Sequence, residues 1–202
     1  MGIKSILKTG TLLVCTFGLS TTVIADADGA NIITVKGGTF SMSEPVQSIF
    51  FDTSSTTTFE EDPSTFGVEY DRMMNDNVSI GGGAQIFNTA YRTFSGSTGE
   101  MDATFITFNS KYHFTTGNFK PFIGGTAGFV VTDFTSDSAF NGLSGNTAGL
   151  TLGLMAGFRW QFSTVGIYAE YKNYLTANTE DSADAEVDLA GDSITGGVSI
   201  AF

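Results

Sequence analysis

Eight residues within the alternating stretches of this chain stand out as able to pair charges, move protons or hold a cation: Lys36, Glu69, Asp71, Lys111, His113, Arg159, Glu170 and Lys172. Each lies in a stretch of alternating character, on the face opposite apolar residues such as Val35, Val68, Tyr112, Trp160 and Tyr171. Lysines and carboxylates on one enclosed face neutralise one another, so ion pairing is the chemistry this pattern supports best. His113 is the chain's single histidine and so the one imidazole available as a general base. Its neighbours, H-F-T-T, supply no local serine for a nucleophile–base pair. No stretch matches a metal-binding motif: the acidic run E-D-S-A-D-A-E-V-D departs from the D-x-[DN]-x-[DN]-G calcium-loop pattern. No catalytic, cofactor or metal site is therefore predicted.

The elements that position these residues are strands. Residues 148–162 read A-G-L-T-L-G-L-M-A-G-F-R-W-Q-F. Every second residue gives Ala148, Leu150, Leu152, Leu154, Ala156, Phe158, Trp160 and Phe162 on one face, with Gly149, Thr151, Gly153, Met155, Gly157, Arg159 and Gln161 on the other. A period of two means that alternate side chains point to opposite faces of a strand. Similar alternation predicts strands over 32–43, 65–73, 78–91, 102–114, 120–132, 165–176 and 189–202. About 9–11 tilted residues cross the hydrocarbon core of a bilayer, and these strands have that length.

The chain has 202 residues, a formal charge of −12, Gly 25 and Phe 19 against Pro 3. The acidic balance excludes nucleic acid as a partner, because phosphate binding needs clustered Lys and Arg. Lys4 and Lys8, the mostly apolar run 6–24 and Ala25-Asp26-Ala27 have the layout of a cleaved secretory signal. Cleavage is expected after Ala27, with Ala25 the alternative, leaving 28–202 as one domain. Cys15 falls in the removed segment, so thiol chemistry is excluded from the mature chain. After the signal no apolar run is long enough for a transmembrane helix. A closed barrel is then the remaining way across a membrane, since an open sheet leaves backbone groups unpaired in lipid.

The predicted fold is all-β, an eight-stranded antiparallel up-and-down transmembrane barrel. Connections after strands two, four and six are short, whereas those after one, three, five and seven are read as ten to twenty residues. That asymmetry is the pattern of short periplasmic turns and long extracellular loops, with both chain ends in the periplasm. The two-residue turn Ser163-Thr164 sets Arg159 opposite Tyr168 and Gly157 opposite Glu170, with Arg159 diagonal to Glu170. By the same argument Glu69 opposes Gly83 and Asp71 opposes Gly81. An eight-stranded barrel is just wide enough inside for its own side chains, so the charged set is read as a lumen network that plugs the barrel. Tyr112, Phe114, Trp160, Phe162 and Phe202 are assigned to one interfacial aromatic girdle, and Phe40, Phe87, Tyr91, Phe129 and Tyr171 to the other.

K-P-F-I-G-G-T-A-G-F at 120–129, G-L-M-A-G-F-R-W-Q-F with V-G-I-Y-A-E-Y-K at 153–162 and 165–172, and the terminal S-I-T-G-G-V-S-I-A-F resemble the outer-membrane barrel superfamily of OmpA, OmpX, OmpW and the opacity proteins. The resemblance covers essentially the whole mature chain. It implies a bacterial outer-membrane location, a lipid and lipopolysaccharide environment, and a role for Phe202 as the signal read by the barrel-assembly machinery. The acidic residues of 44–64 and 177–188 are placed in extracellular loops and read as solvated charge, with divalent-cation bridging of carboxylates to lipopolysaccharide phosphates as the functional alternative. The function expected is a noncatalytic surface barrel with a structural or interaction role. The alternatives are a narrow passive channel for small apolar or ionic solutes and, third, a lipid A-modifying enzyme, for which His113 lies at the wrong end of the barrel.

Overall fold

The computed structural model describes residues 29–42, 58–59, 63–92, 98–114, 117–136, 145–180 and 186–202. They form ten strands: β1 (Asn31–Met42), β2 (Thr58–Phe59), β3 (Ser64–Met73), β4 (Val78–Arg92), β5 (Thr98–His113), β6 (Phe119–Ser136), β7 (Gly145–Phe162), β8 (Val165–Glu180), β9 (Glu186–Asp188) and β10 (Gly191–Ala201). Eight of them form a ring in which β1, β3, β4, β5, β6, β7, β8 and β10 pair antiparallel with their successors and β10 pairs back onto β1. The short strands β2 and β9 add to the rims of β4 and β8. Closure leaves this ring without an unpaired edge. The seam is completed by reciprocal backbone hydrogen bonds between Asn31 and Phe202, at 2.9 and 2.8 Å.

Alternation sorts side chains as a membrane barrel requires. Val35, Val68, Ile106, Phe108, Leu152, Ile167 and Val198 point outward and are exposed, while Lys36, Glu69, Asn109, Lys111 and Glu170 point inward and are buried. One irregularity resets the pattern. Between Leu152 and Gly153 the register with β8 shifts, so that Leu152 pairs with Thr176 and Gly153 with Tyr174. Leu175 is the extra residue of a bulge, so that Tyr174 keeps the inward parity of Glu170 and Lys172 while Ala177, which alternation would turn outward, also enters the lumen.

At one end the strands are joined by tight turns. Asn75 Oδ1 accepts from the backbone amides of Asn77 and Val78 at 2.9 and 2.8 Å, an Asx turn that folds β3 back onto β4. Ser163 opens the two-residue turn between β7 and β8 with a φ of 71°, a left-handed conformation that this kind of hairpin favours at its first central residue. At the other end the connections are shorter than their polarity implies: β4 and β5 leave only 93–97 between them, and β6 and β7 only 137–144. Polar residues do not end these strands, because ladder pairing continues through Asn88↔Asp102 and Glu100↔Thr135. The signal segment 1–27, and the acidic side chains assigned to loops at Glu44, Asp52, Glu60, Glu61, Asp62, Glu180, Asp181, Asp184, Glu186 and Asp188, lie outside what is described.

Candidate functional site

The lumen is filled in layers. Toward the long-connection end, Phe40, Phe87, Phe105 and Tyr174 pack with Met101, Ala103, Val130, Ala177 and Leu189 into a buried apolar cluster. Phe40 stacks on Phe87 at 4.5 Å between ring centroids, and Phe105 lies 4.4 Å from Tyr174. This corrects the girdle assignment of Phe40 and Phe87, which are 0% and 3% exposed. Each shares the parity of inward residues on its own strand, Lys36 on β1 and Gln85 on β4, so alternation alone directs it inside. Phe129 and Tyr171 do face outward, and the side chain of Tyr91 lies outside what is described.

A polar hinge separates this cluster from the charged layer. Gln85 donates through Nε2 to Thr65 Oγ1 at 2.9 Å and to Ser193 Oγ at 2.8 Å, and its Oε1 accepts from the Tyr174 hydroxyl at 3.3 Å. Below it, Lys36 donates to Glu69 Oε2 at 2.9 Å and to Glu170 Oε1 at 2.7 Å. Lys111 donates to Asp71 Oδ2 at 2.8 Å, to Glu69 Oε1, and to the Tyr168 hydroxyl at 3.2 Å. Lys172 reaches Glu170 Oε1 at 3.5 Å and Glu69 Oε2 at 3.9 Å. Asn109 Nδ2 adds a further donor to Glu69 at 2.9 Å, and the Tyr168 hydroxyl donates to Glu170 Oε2. Three lysines thus meet three carboxylates, with Glu69 touching all three cations. Lys111 also sits 5.1 Å from the centroid of Phe122 and 5.2 Å from that of Tyr168, two rings stacked on each other. Desolvation makes isolated buried charges very costly, and the arrangement offsets that cost by giving each charge an opposite partner or an aromatic face.

The backbone is shaped around this layer. Gly83 stands opposite Glu69 and Gly81 opposite Asp71. A Cβ on Gly81 would overlap the carbonyl oxygen of Tyr70 and lie 2.5 Å from Asp71 Oδ1, so glycine there makes room for the carboxylate. Across the two-residue turn the register is Arg159↔Tyr168 and Gly157↔Glu170. Glu170 meets Lys36, Lys172 and the Tyr168 hydroxyl, while the guanidinium of Arg159 approaches Met73 Sδ at 3.9 Å.

Toward the short turns lie Arg159, Lys120 and His113, all buried. Lys120 was not among the residues singled out from sequence, although it shares the inward parity of Phe122. Ser79 Oγ is 3.0 Å from His113 Nε2. No local motif reveals this contact, because Ser79 is on β4 and His113 on β5; the cross-strand register, with Ser79 opposite Lys111, brings them together. Ser79 and His113 are 0% and 1% exposed. The hydroxyl–imidazole pair is thus enclosed by the packing of the lumen. Among the described residues no group of three or more His, Cys, Asp or Glu is arranged to hold a metal ion. Phe202 ends the chain facing outward beside the seam.

No protein-family model matches the chain, and no curated protein does. Solved structures do. Outer membrane protein OprG of Pseudomonas aeruginosa superimposes with a TM-score of 0.66 at 16% identity, over 87% of this chain and 96% of that one. Neisserial surface protein A gives 0.61 at 11% identity, over 87% and 100%. Ail, the attachment invasion locus protein of Yersinia pestis, solved with the heparin analogue sucrose octasulfate, gives 0.52 at 15% identity, over 87% and 100%. Strand number, closure, inverted polarity and these similarities together assign the chain to the fold of the small eight-stranded bacterial outer-membrane β-barrels.

Proposed function

We propose that the chain is a closed, noncatalytic barrel of the bacterial outer membrane whose function is structural or interactive and resides at its long-connection end. The observation that carries this reading is the filled lumen: an aromatic cluster above a paired lysine–carboxylate layer occupies the axis with packed side chains. An open pore needs a hydrated path, and a ligand cavity needs an unfilled one. Apolar side chains cover the outer wall and glycines accommodate the inner charges, which suits a rigid scaffold better than a gate.

In this reading the short turns and both chain ends face the periplasm, and Phe202 at the end of the closing strand is what the barrel-assembly machinery engages. The acidic connections contact lipopolysaccharide through divalent cations, because carboxylates alone repel an anionic surface. The polyanion bound to Ail is a poor guide here for the same reason: this chain carries −12.

Cysteine labelling of whole cells tests the display. Glu100→Cys, at the long-connection end, reacts with a membrane-impermeant maleimide on intact cells, whereas Asn75→Cys, in a short turn, reacts only after the outer membrane is opened. The reverse pattern, or labelling of neither with the protein in another compartment, overturns the proposal.

A further inference from the structure

We infer that the short-turn end of the lumen is a binding site for a small oxyanion, a single carboxylate or phosphate group held by Lys120, Arg159 and the Ser79–His113 pair. The site lies inside the barrel, goes beyond the surface role proposed above, and does not depend on which way the barrel is oriented.

The strand register gathers positive charge there. Lys120 on β6 stands directly opposite Arg159 on β7, and like charges set opposite one another on one face of a sheet repel. His113 on β5 pairs with Phe122, which places it diagonal to Lys120 on the same inward face. The charges of Arg159, Lys111 and Lys120 all act on its imidazole. Among the described residues the buried ionic side chains are five cations, Lys36, Lys111, Lys120, Arg159 and Lys172, against three carboxylates, Glu69, Asp71 and Glu170. Those carboxylates belong to the charged layer, where Lys36, Lys111 and Lys172 converge on them. Arg159 also acts on Asp71, but Oδ2 of that carboxylate is engaged by Lys111 at 2.8 Å. A surplus of buried positive charge is costly, and the short-turn end is where an added anion lowers that cost.

A hydrogen-bond donor is left over at the same place. Ser79 Oγ and His113 Nε2 share a hydrogen bond of 3.0 Å, and the buried Nδ1 has no partner. If the hydroxyl donates to Nε2, the ring proton sits on Nδ1 without an acceptor; if Nε2 donates to the hydroxyl, the serine hydrogen has none. Either tautomer leaves one buried donor unmet. A water would satisfy that donor but not the charge, whereas an oxyanion answers both, through charge-assisted hydrogen bonds from an ammonium and a guanidinium. Two sources offer this chemistry. One is a free anion from the solution at the short-turn side. The other is the carboxylate of Asp28, which directly precedes Gly29 in the sequence. The Gly29 amide donates to the Met73 carbonyl at 2.9 Å, and Met73 Sδ is 3.9 Å from the Arg159 guanidinium, so the described chain begins beside the site.

The single histidine makes the test specific, because its ring nitrogens report from inside the site by nuclear magnetic resonance of isotope-labelled protein. The chain lacking the signal segment is refolded in micelles, with closure read from heat-dependent gel mobility, and titrated with inorganic phosphate at constant ionic strength. A saturable shift of the ring nitrogens in the wild type assigns the site to a free anion. No shift in the wild type with a saturable one in Asp28→Asn assigns it to the chain's own carboxylate. In the background that responds, Lys120→Gln and Arg159→Gln each weaken phosphate binding roughly tenfold. Arg72→Gln, which removes an exposed cation at the same end, leaves it unchanged. Ring nitrogens that stay in place in both the wild type and Asp28→Asn overturn the site, and so does a response that is equal in the two lumen variants and Arg72→Gln. The first two titrations decide even where Lys120→Gln or Arg159→Gln fails to fold.

Discussion

The two fillings of the lumen solve the same problem with opposite physics. The upper one, around Phe105 and Tyr174, is held by burial and ring contacts that tolerate small displacements. The lower one, around Glu69 and Lys111, depends on several partners meeting within hydrogen-bonding distance. Taken alone, apolar filling is the more economical design, since buried ion pairs often contribute no more than a well-packed hydrophobic substitute. The comparison teaches that the charged layer is sensitive to chemistry at constant shape, while the aromatic layer is sensitive to volume at constant chemistry.

The largest expected effect is at the hub of the charged layer. Glu69→Gln keeps the shape but leaves the three lysines with two carboxylates, and it should cost about 3–5 kcal/mol in urea unfolding from lipid vesicles. A loss under about 1 kcal/mol would mean the layer is hydrated. Gly81→Ala tests the backbone around it: the new methyl collides with the neighbouring strand, and overpacking of that kind costs about 1–3 kcal/mol in the same assay. Phe105→Leu is the matching change in the upper layer: it keeps the side chain apolar but removes volume and ring contacts, and should cost about 1–2 kcal/mol. If it exceeds the Glu69→Gln loss, the contrast between the layers is wrong. The smallest effect expected is that of salt. Screening lengths shorten to about 3 Å at 1 M, yet buried pairs are shielded from ions, so the gap between wild type and Glu69→Gln should stay within about 0.5 kcal/mol from 0.1 to 1 M NaCl.

Sequence carried the local parts of this architecture and lost the distant ones. Alternation along a strand sets the face of every residue, and tight turns set register, which is why the pairs Glu69–Gly83, Asp71–Gly81, Arg159–Tyr168 and Gly157–Glu170 can be written down from the turns alone. Contacts across the lumen depend on the barrel's tilt and stagger, and no spacing in the chain encodes them. The meeting of Lys36 with Glu170, or of Lys111 with Tyr168, was illegible for that reason. For Phe40 and Phe87 two signals compete: height near a strand end points to the membrane interface, parity points to the lumen, and parity decides. The Leu175 bulge is a different limit: it swings Ala177 inward through a one-residue slip that alternation cannot foresee.

Single-channel conductance of the refolded chain in a planar bilayer, with heat-dependent gel mobility confirming closure, tests the central claim most directly. A folded barrel that remains electrically silent across the applied voltages is the result predicted by a lumen filled from Phe40 to Lys111. Regular openings that change in Glu69→Gln would contradict it and make the charged layer a gate.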